Sequence, residues 1–233
     1  MKFALIGGER ALPSPGRIGT CPACGRDMVA KCGTQRVHHW AHRGVRRCDP
    51  WWEPETQWHR TWKSEFPANW QEVIFPDNRT GEKHIADVHT KHGLTIEFQH
   101  SHLRPDERAA REEFYVNMIW VVDGSRLKRD WPRFRYGLER SRSIGKELFL
   151  ISSPEEAFPR NWIRCAAPVI FDFENSAGRT QSSEYLSSLL WCLLPGRAYE
   201  RAAVLCFSRD AFVRSAHATQ KPIEANAVLE PIR

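Results

Sequence analysis

Four cysteines and three histidines crowd into residues 21–48, and no other stretch limits the fold as strongly. Cys21-Pro-Ala-Cys24-Gly25 is a CxxC knuckle, in which two thiolates leave one tight turn and a glycine lets the backbone fold around an ion. Fourteen residues after Gly25 comes His39-Trp40-Ala41-His42. Two thiolates and two imidazoles at these spacings predict a tetrahedral, structural Zn²⁺ site made by Cys21, Cys24, His39 and His42. Cys32, His38 and Cys48 stand near enough in sequence to compete for the second pair of places. The chain has 7 cysteines, an odd number, which fits a metal site in a reducing compartment better than a disulfide framework. Residues 1–50 carry too few periodic apolar positions for a core of their own, so they are expected to need the metal to fold.

Charge follows the same segment. The chain holds 34 Lys+Arg against 28 Asp+Glu, and residues 1–49 contain nine of the bases but three of the acids, so the rest balances at 25 against 25. A metal-stapled basic module on a neutral body predicts a polyanionic partner, DNA above all, with Arg43, Arg46 and Arg47 as phosphate contacts. The plainer alternative is that the charge only keeps a small lobe soluble. With 41% hydrophobic and 27% charged residues the chain is neither disordered nor low-complexity. Phe3 to Ile6 is too short for a secretory h-region and no 18-residue apolar run follows, so a cytoplasmic protein with no membrane partner is expected.

Beyond the module, Trp58, Trp62 and Phe66 recur every four residues between Pro54 and Pro67, predicting a helix. Residues 72–75, 84–90 and 94–99 read as strands, the last two as a hairpin, with turns at Asp77-Asn78 and His92-Gly93. A helix over 104–115, opened by Pro105 and Asp106, and a buried strand over 118–122 complete an α-β-β-β-α-β order. Strands are expected at 147–151 and 169–173 and a helix at 183–193. The expected divisions are a basic zinc module (1–50), a core (51–125) and a C-terminal α/β extension (126–233) packed on that core. The ten Trp, including Trp51-Trp52, are candidates either for the core or for stacking on single-stranded DNA.

Glu55, His59 and Lys63 fall at i, i+4 and i+8, one face of the predicted helix. Asp87 and Glu97 lie within otherwise apolar strands, where unpaired charge is costly to bury. Strand alternation sends Glu97 and Gln99 to one face and Ile96 and Phe98 to the other. Asp87 can reach the first of these faces across a hairpin, and two converging carboxylates repel unless a cation lies between them. Mg²⁺, which favours hard oxygen ligands and keeps several waters, suits such a place. A structural ion pair, for instance with Lys63, is the competing account.

The order CPxCG, HHWAH, Glu55-x3-His59-x3-Lys63, Ala86-Asp87-Val88, Ile96-Glu97-Phe98-Gln99-x-Ser101, Arg108-x2-Arg111-x3-Tyr115 and Ile119-Trp120-Val121-Val122 resembles the competence protein CoiA-like family, within the PD-(D/E)XK nuclease layout. The resemblance covers residues 20–123, and His84 stands where that family has Arg. It implies a restriction-endonuclease-like α/β core and a metal-dependent deoxyribonuclease serving recombination, competence or phage defence. Asp87 and Glu97 would hold Mg²⁺ or Mn²⁺, Glu55 would complete or orient the shell, and Gln99, in the place of the superfamily Lys, would position water. Lys63 or His59 would supply the missing cation. Arg111 and Tyr115 would hold DNA, or Arg111 would hold Glu97. DNA and a recombination or defence complex are the implied partners. The alternative is a non-catalytic DNA-binding or recombination-accessory protein that keeps the fold.

Overall fold

Small residues and glycines break the N-terminal segment into strands too short to stand alone. The computed structural model describes residues 1–44, 48–176 and 181–232. Strands β1 (Ala4–Ile6), β2 (Glu9–Ala11), β3 (Ile18–Thr20), β4 (Asp27–Lys31) and β5 (His39–His42) form one sheet in the order β2-β1-β3-β4-β5. Every pairing in it is antiparallel. Met1, Ala4, Cys21, Ala23, Met28, Trp40 and Cys48 are buried together beneath it. The segment therefore has a small core besides its cysteines, contrary to the expectation that the metal alone would organise it.

The chain divides into two compact units, Met1–His89 and Thr90–Arg233. Contacts inside the first show why no boundary falls at residue 50. Both carboxylate oxygens of Glu72 accept backbone N–H bonds, from Lys2 at 2.6 Å and from Phe3 at 3.1 Å. Arg10 donates to the Ala68 and Gln71 carbonyls, and Lys83 Nζ to the Ala23 carbonyl. Helix α1 (Gln57–Ser64) begins after Thr56, not at Pro54, because Thr56 and His59 form a capping box. Trp62 and Phe66 are buried as their spacing predicts. Strands β6 (Gln71–Pro76) and β7 (Lys83–His89) pair antiparallel.

The second unit is built on three parallel strands. Strand β8 (Thr95–Gln99) leads through helix α2 (Pro105–Tyr115) to β9 (Met118–Asp123), a β-α-β crossover. After α3 (Asp130–Glu139), β10 (Arg142–Ser143), β11 (Leu148–Ile151) and α4 (Pro154–Ala157), strand β12 (Val169–Asp172) runs parallel to β9 on its other side. Helix α5 (Gln181–Ser188), strands β13 (Leu189–Leu193) and β14 (Ala202–Ser208), and helices α6 (Arg209–Ala218) and α7 (Ala225–Leu229) follow. Outward from β12 the order is β13, β14, β11, β10, all antiparallel. The predicted helix over 183–193 thus ends at Ser188. Leu190 to Leu193 are all buried as a strand, and a short continuous apolar run does not distinguish the two.

Both units are mixed α/β. Seven of the ten Trp (40, 62, 70, 120, 131, 162 and 191) are buried, which assigns them to the core and not to base stacking. In the second unit Trp131, Phe134, Phe158, Phe171, Phe173 and Trp191 pack into one aromatic cluster, with ring centroids 4.9–6.1 Å apart. Gly124 follows β9 where a Cβ would sit 2.5 Å from the Phe173 ring, so no larger residue fits there. Among the described residues no helix is long and apolar enough to cross a membrane.

Candidate metal centre and carboxylate cluster

The knuckle closes as its sequence predicts. The amide of Gly25, at φ 70°, donates to the Cys21 carbonyl at 2.8 Å, and the amide of Cys21 to the Arg26 carbonyl at 2.8 Å. Cys21, Cys24, His42 and Cys48 present ligand atoms all within 4.8 Å of one another, and this Cys3His cluster could hold a zinc ion. Cys21 Sγ lies 3.9 Å from Cys48 Sγ, and His42 Nε2 lies 3.3 and 3.5 Å from the sulfurs of Cys24 and Cys48. Tetrahedral Zn²⁺ with ordinary bond lengths requires edges of about 3.8 Å between sulfurs and about 3.5 Å between sulfur and nitrogen. The set fits. The hydrogen bond with Cys48, outweighing burial, pulls the Cys21 thiol down to about 4, so it is ready as a thiolate.

Cys48 stands where His39 was expected. His39 and His42 are three apart on a strand, and alternation turns them to opposite faces. His39 Nδ1 instead donates to the Val37 carbonyl at 2.9 Å. Cys32 and His38 also lie outside the cluster. Three thiolates outweigh Zn²⁺ by one charge, so the metallated module is one unit less basic than a two-cysteine site would leave it. Arg43 is exposed, while Arg46 and Arg47 lie outside the described residues.

The helix-face triplet resolves into two separate arrangements. Glu55 lies before α1, not on it. The His59 ring accepts the Thr56 amide at Nδ1, which leaves the proton on Nε2, and Nε2 donates to Glu53 at 2.7 Å. Lys63 is buried, and its Nζ lies 2.8 Å from Asp87 Oδ1, 3.2 Å from Glu55 and 3.5 Å from Glu72. Strand register explains the gathering. Gln71 pairs with Val88 and Val73 with Ala86, which sets Glu72 across from Asp87. Like charges there would be destabilising without the ammonium between them. Glu72 also has φ 49°, a strained value for a residue with a Cβ. Burial pushes the Lys63 pKa down, but Asp87, Glu55 and Glu72 together more than reverse this and hold it well above the ordinary lysine value. Burial likewise opposes ionisation of Glu55, and Lys63 with Arg60, 2.8 Å away, outweighs it and keeps that carboxyl low. Glu72 gave no sequence signal of its own beyond being an acid at the start of a strand.

In the second unit all five residues of β8 are buried, so Glu97 and Gln99 do not line an open face. Arg111 is buried with Glu97, its Nη1 3.0 Å from the carboxylate, and its Nη2 donates to Glu107 at 2.5 Å. Arg111 therefore holds Glu97 and is not placed for the DNA backbone. Tyr115 is half-buried against the aromatic core. Gln99 Nε2 donates to the Ser101 carbonyl and hydroxyl. His84 is buried and stacked on Trp51 at 3.4 Å, so it does not replace an exposed arginine as a phosphate contact.

A mixed α/β protein with a Cys3His cluster is the class defined so far. Over 145 residues, 57% of the chain, the sequence is 29% identical to the competence protein CoiA of Bacillus subtilis (strain 168). The matched stretch spans 38% of that relative's length. No family model and no solved structure matches the chain.

Two predictions follow from this geometry. Purified protein should carry one zinc per chain, which Cys48→Ser loses and His39→Ala keeps; metal analysis showing the reverse would restore His39 as ligand. Lys63→Met should cost about 3–5 kcal/mol at neutral pH, since it strands buried carboxylates. In the wild type the depressed Glu55 contributes stability present above about 4.3 and lost as pH falls through its lower folded value, and the raised Lys63 contributes below about 10.4. In Lys63→Met the sign reverses, and stability rises as pH falls from 7 toward 5 while the carboxylates take up protons. Urea midpoints across that range check it, and a wild-type-like pH profile would refute it.

Proposed function

We propose that this protein is a metal-dependent deoxyribonuclease that processes DNA in competence-type recombination or in phage defence. The observation that carries this is the contact between buried Lys63 and Asp87, at 2.8 Å. The motif order leaves Gln99 where the nuclease superfamily has Lys, and Lys63 brings a cation to the motif aspartate from the preceding helix. His59, the other candidate, is occupied by Glu53. Similarity to a competence protein supports the DNA context, and the Cys3His cluster supports a structural zinc module beside it.

The roles divide as follows. Asp87 has a side chain 22% exposed, the most open of the acids around Lys63, and its carboxylate suits Mg²⁺ or Mn²⁺. Glu55 is 7% exposed and already shared by Lys63 and Arg60, so it orients the lysine instead of joining the metal. Lys63 holds Asp87 in one rotamer, Arg111 does the same for Glu97, and Gln99 is held by Ser101. Asp87 would hold a divalent ion, which would supply a water of lowered pKa and neutralise charge on the phosphodiester.

One observation favours the non-catalytic accessory protein. Glu97 and Arg111 are 5% and 6% exposed and form a tight buried pair, as a purely structural glutamate would. Cleavage assays with Mn²⁺ or Mg²⁺ on single- and double-stranded DNA separate the two. Asp87→Asn should lower cleavage at least about a hundredfold, about 2.7 kcal/mol of barrier, while DNA affinity holds or rises because a negative charge facing phosphate is gone. Wild type that cuts no DNA form in either metal, while binding DNA, would establish the accessory role.

A further inference from the structure

A cavity of about 840 Å³ opens at the carboxyl ends of the parallel strands β8, β9 and β12. That edge is where open α/β sheets bind ligands, and the volume is that of a site for a small organic molecule. Its wall is basic. Arg126, Arg129, Arg133 and Arg160 all line it. Arg133 is a fixed part of the wall, since its Nε and Nη2 donate to the carbonyls of Glu156, Glu155 and Phe158. Arg126, Arg129 and Arg160 are exposed, and among the described residues none of their three guanidiniums makes a hydrogen bond or an ion pair. Three uncommitted guanidiniums around one cavity are suited to phosphate oxygens.

The same wall holds two buried aspartates in different states. Asp123 is satisfied, accepting from His100 Nδ1 at 2.7 Å and from the Ser125 hydroxyl at 2.5 Å. Asp130, the first residue of α3, is 8% exposed, and its Oδ1 has no hydrogen-bond partner. The nearest cation, Arg133 Nη1, is 3.9 Å away, beyond hydrogen-bond reach. Burial raises the Asp130 pKa against the opposing pull of Arg133, Arg129 and Arg126. A buried acceptor without a donor is destabilising, and a ligand bringing an O–H or N–H into the cavity would relieve it.

We propose that this cavity binds a phosphorylated nucleoside, its phosphate on Arg126, Arg129 and Arg160 and a ribose hydroxyl or base amino group on Asp130. Both a free nucleotide and the 5′-phosphate end of a DNA strand carry this chemistry. The site uses neither Asp87 nor Glu97, so its binding survives Asp87→Asn and is separable from the nuclease proposal.

Calorimetry on the zinc-loaded full chain, without added divalent metal, tests it with ADP, inorganic phosphate, and a short single-stranded oligonucleotide ending in 5′-phosphate or 5′-hydroxyl. ADP or the 5′-phosphate oligonucleotide should bind saturably, the tighter of the two identifying the source. Arg126→Ala with Arg129→Ala, both at exposed positions, should weaken that binding about tenfold or more. Asp130→Ala should weaken ADP or the oligonucleotide yet leave inorganic phosphate unchanged or tighter, because it removes a donor's partner and a negative charge together. Absence of saturable binding by both phosphorylated probes, equal affinity in the double variant, or parallel loss of nucleotide and phosphate in Asp130→Ala would each overturn the proposal.

Discussion

A fully buried ammonium survives only among carboxylates, and Lys63 obtains three of them, from a loop, a strand and the strand beside it. Glu72 joins this cluster while its oxygens take the amides of Lys2 and Phe3, so one acid links the lysine to the residues that lead into the first strand of the N-terminal sheet. Arg60 adds a second cation on Glu55. Lys2 and the Met1 ammonium also act on these carboxylates, and Asp87 is the acid with most access to solvent. Such a cluster is a clamp within residues 1–89, with one carboxylate left partly open to solvent. It makes the exposure of Asp87 the property on which a catalytic role turns.

The Cys3His cluster, which could hold a zinc ion, belongs to the same unit. Cys48 lies six residues beyond His42 and shares the buried patch with Met1, Met28 and Trp40. A zinc ion held there and the small apolar core would stabilise one another, which suits a segment of three- to five-residue strands.

Much of this was legible in the chain. The knuckle, α1, β6 to β9 and α2 follow from spacing, prolines and alternation, because each period has one consistent solution. His39 misled because i, i+3 histidines converge on a helix and diverge on a strand, and nothing in HHWAH declares which it is. Leu189–Leu193 misled because full burial removes periodicity. Helix α3 and the basic wall were missed although Arg126, Lys128, Arg129 and Arg133 crowd around Asp130, since a charge run usually marks a solvated face. That Arg111 serves Glu97, and Lys63 Asp87, was among the alternatives the residue types allowed, but the choice needed register and packing.

The chain thus combines a Cys3His cluster, a lysine-held aspartate and a basic cavity at a parallel-strand edge, on a sequence similar to a competence protein over 57% of its length. The account stands most directly on whether Asp87 is a ligand or merely Lys63's partner. Thermal melting of zinc-loaded wild type and Asp87→Ala, each with and without Mn²⁺, decides this. A native-state metal site raises the wild-type Tm by mass action and leaves the variant unmoved. No Mn²⁺ shift in wild type, with a variant that melts early in either condition, would contradict it and make the cluster structural.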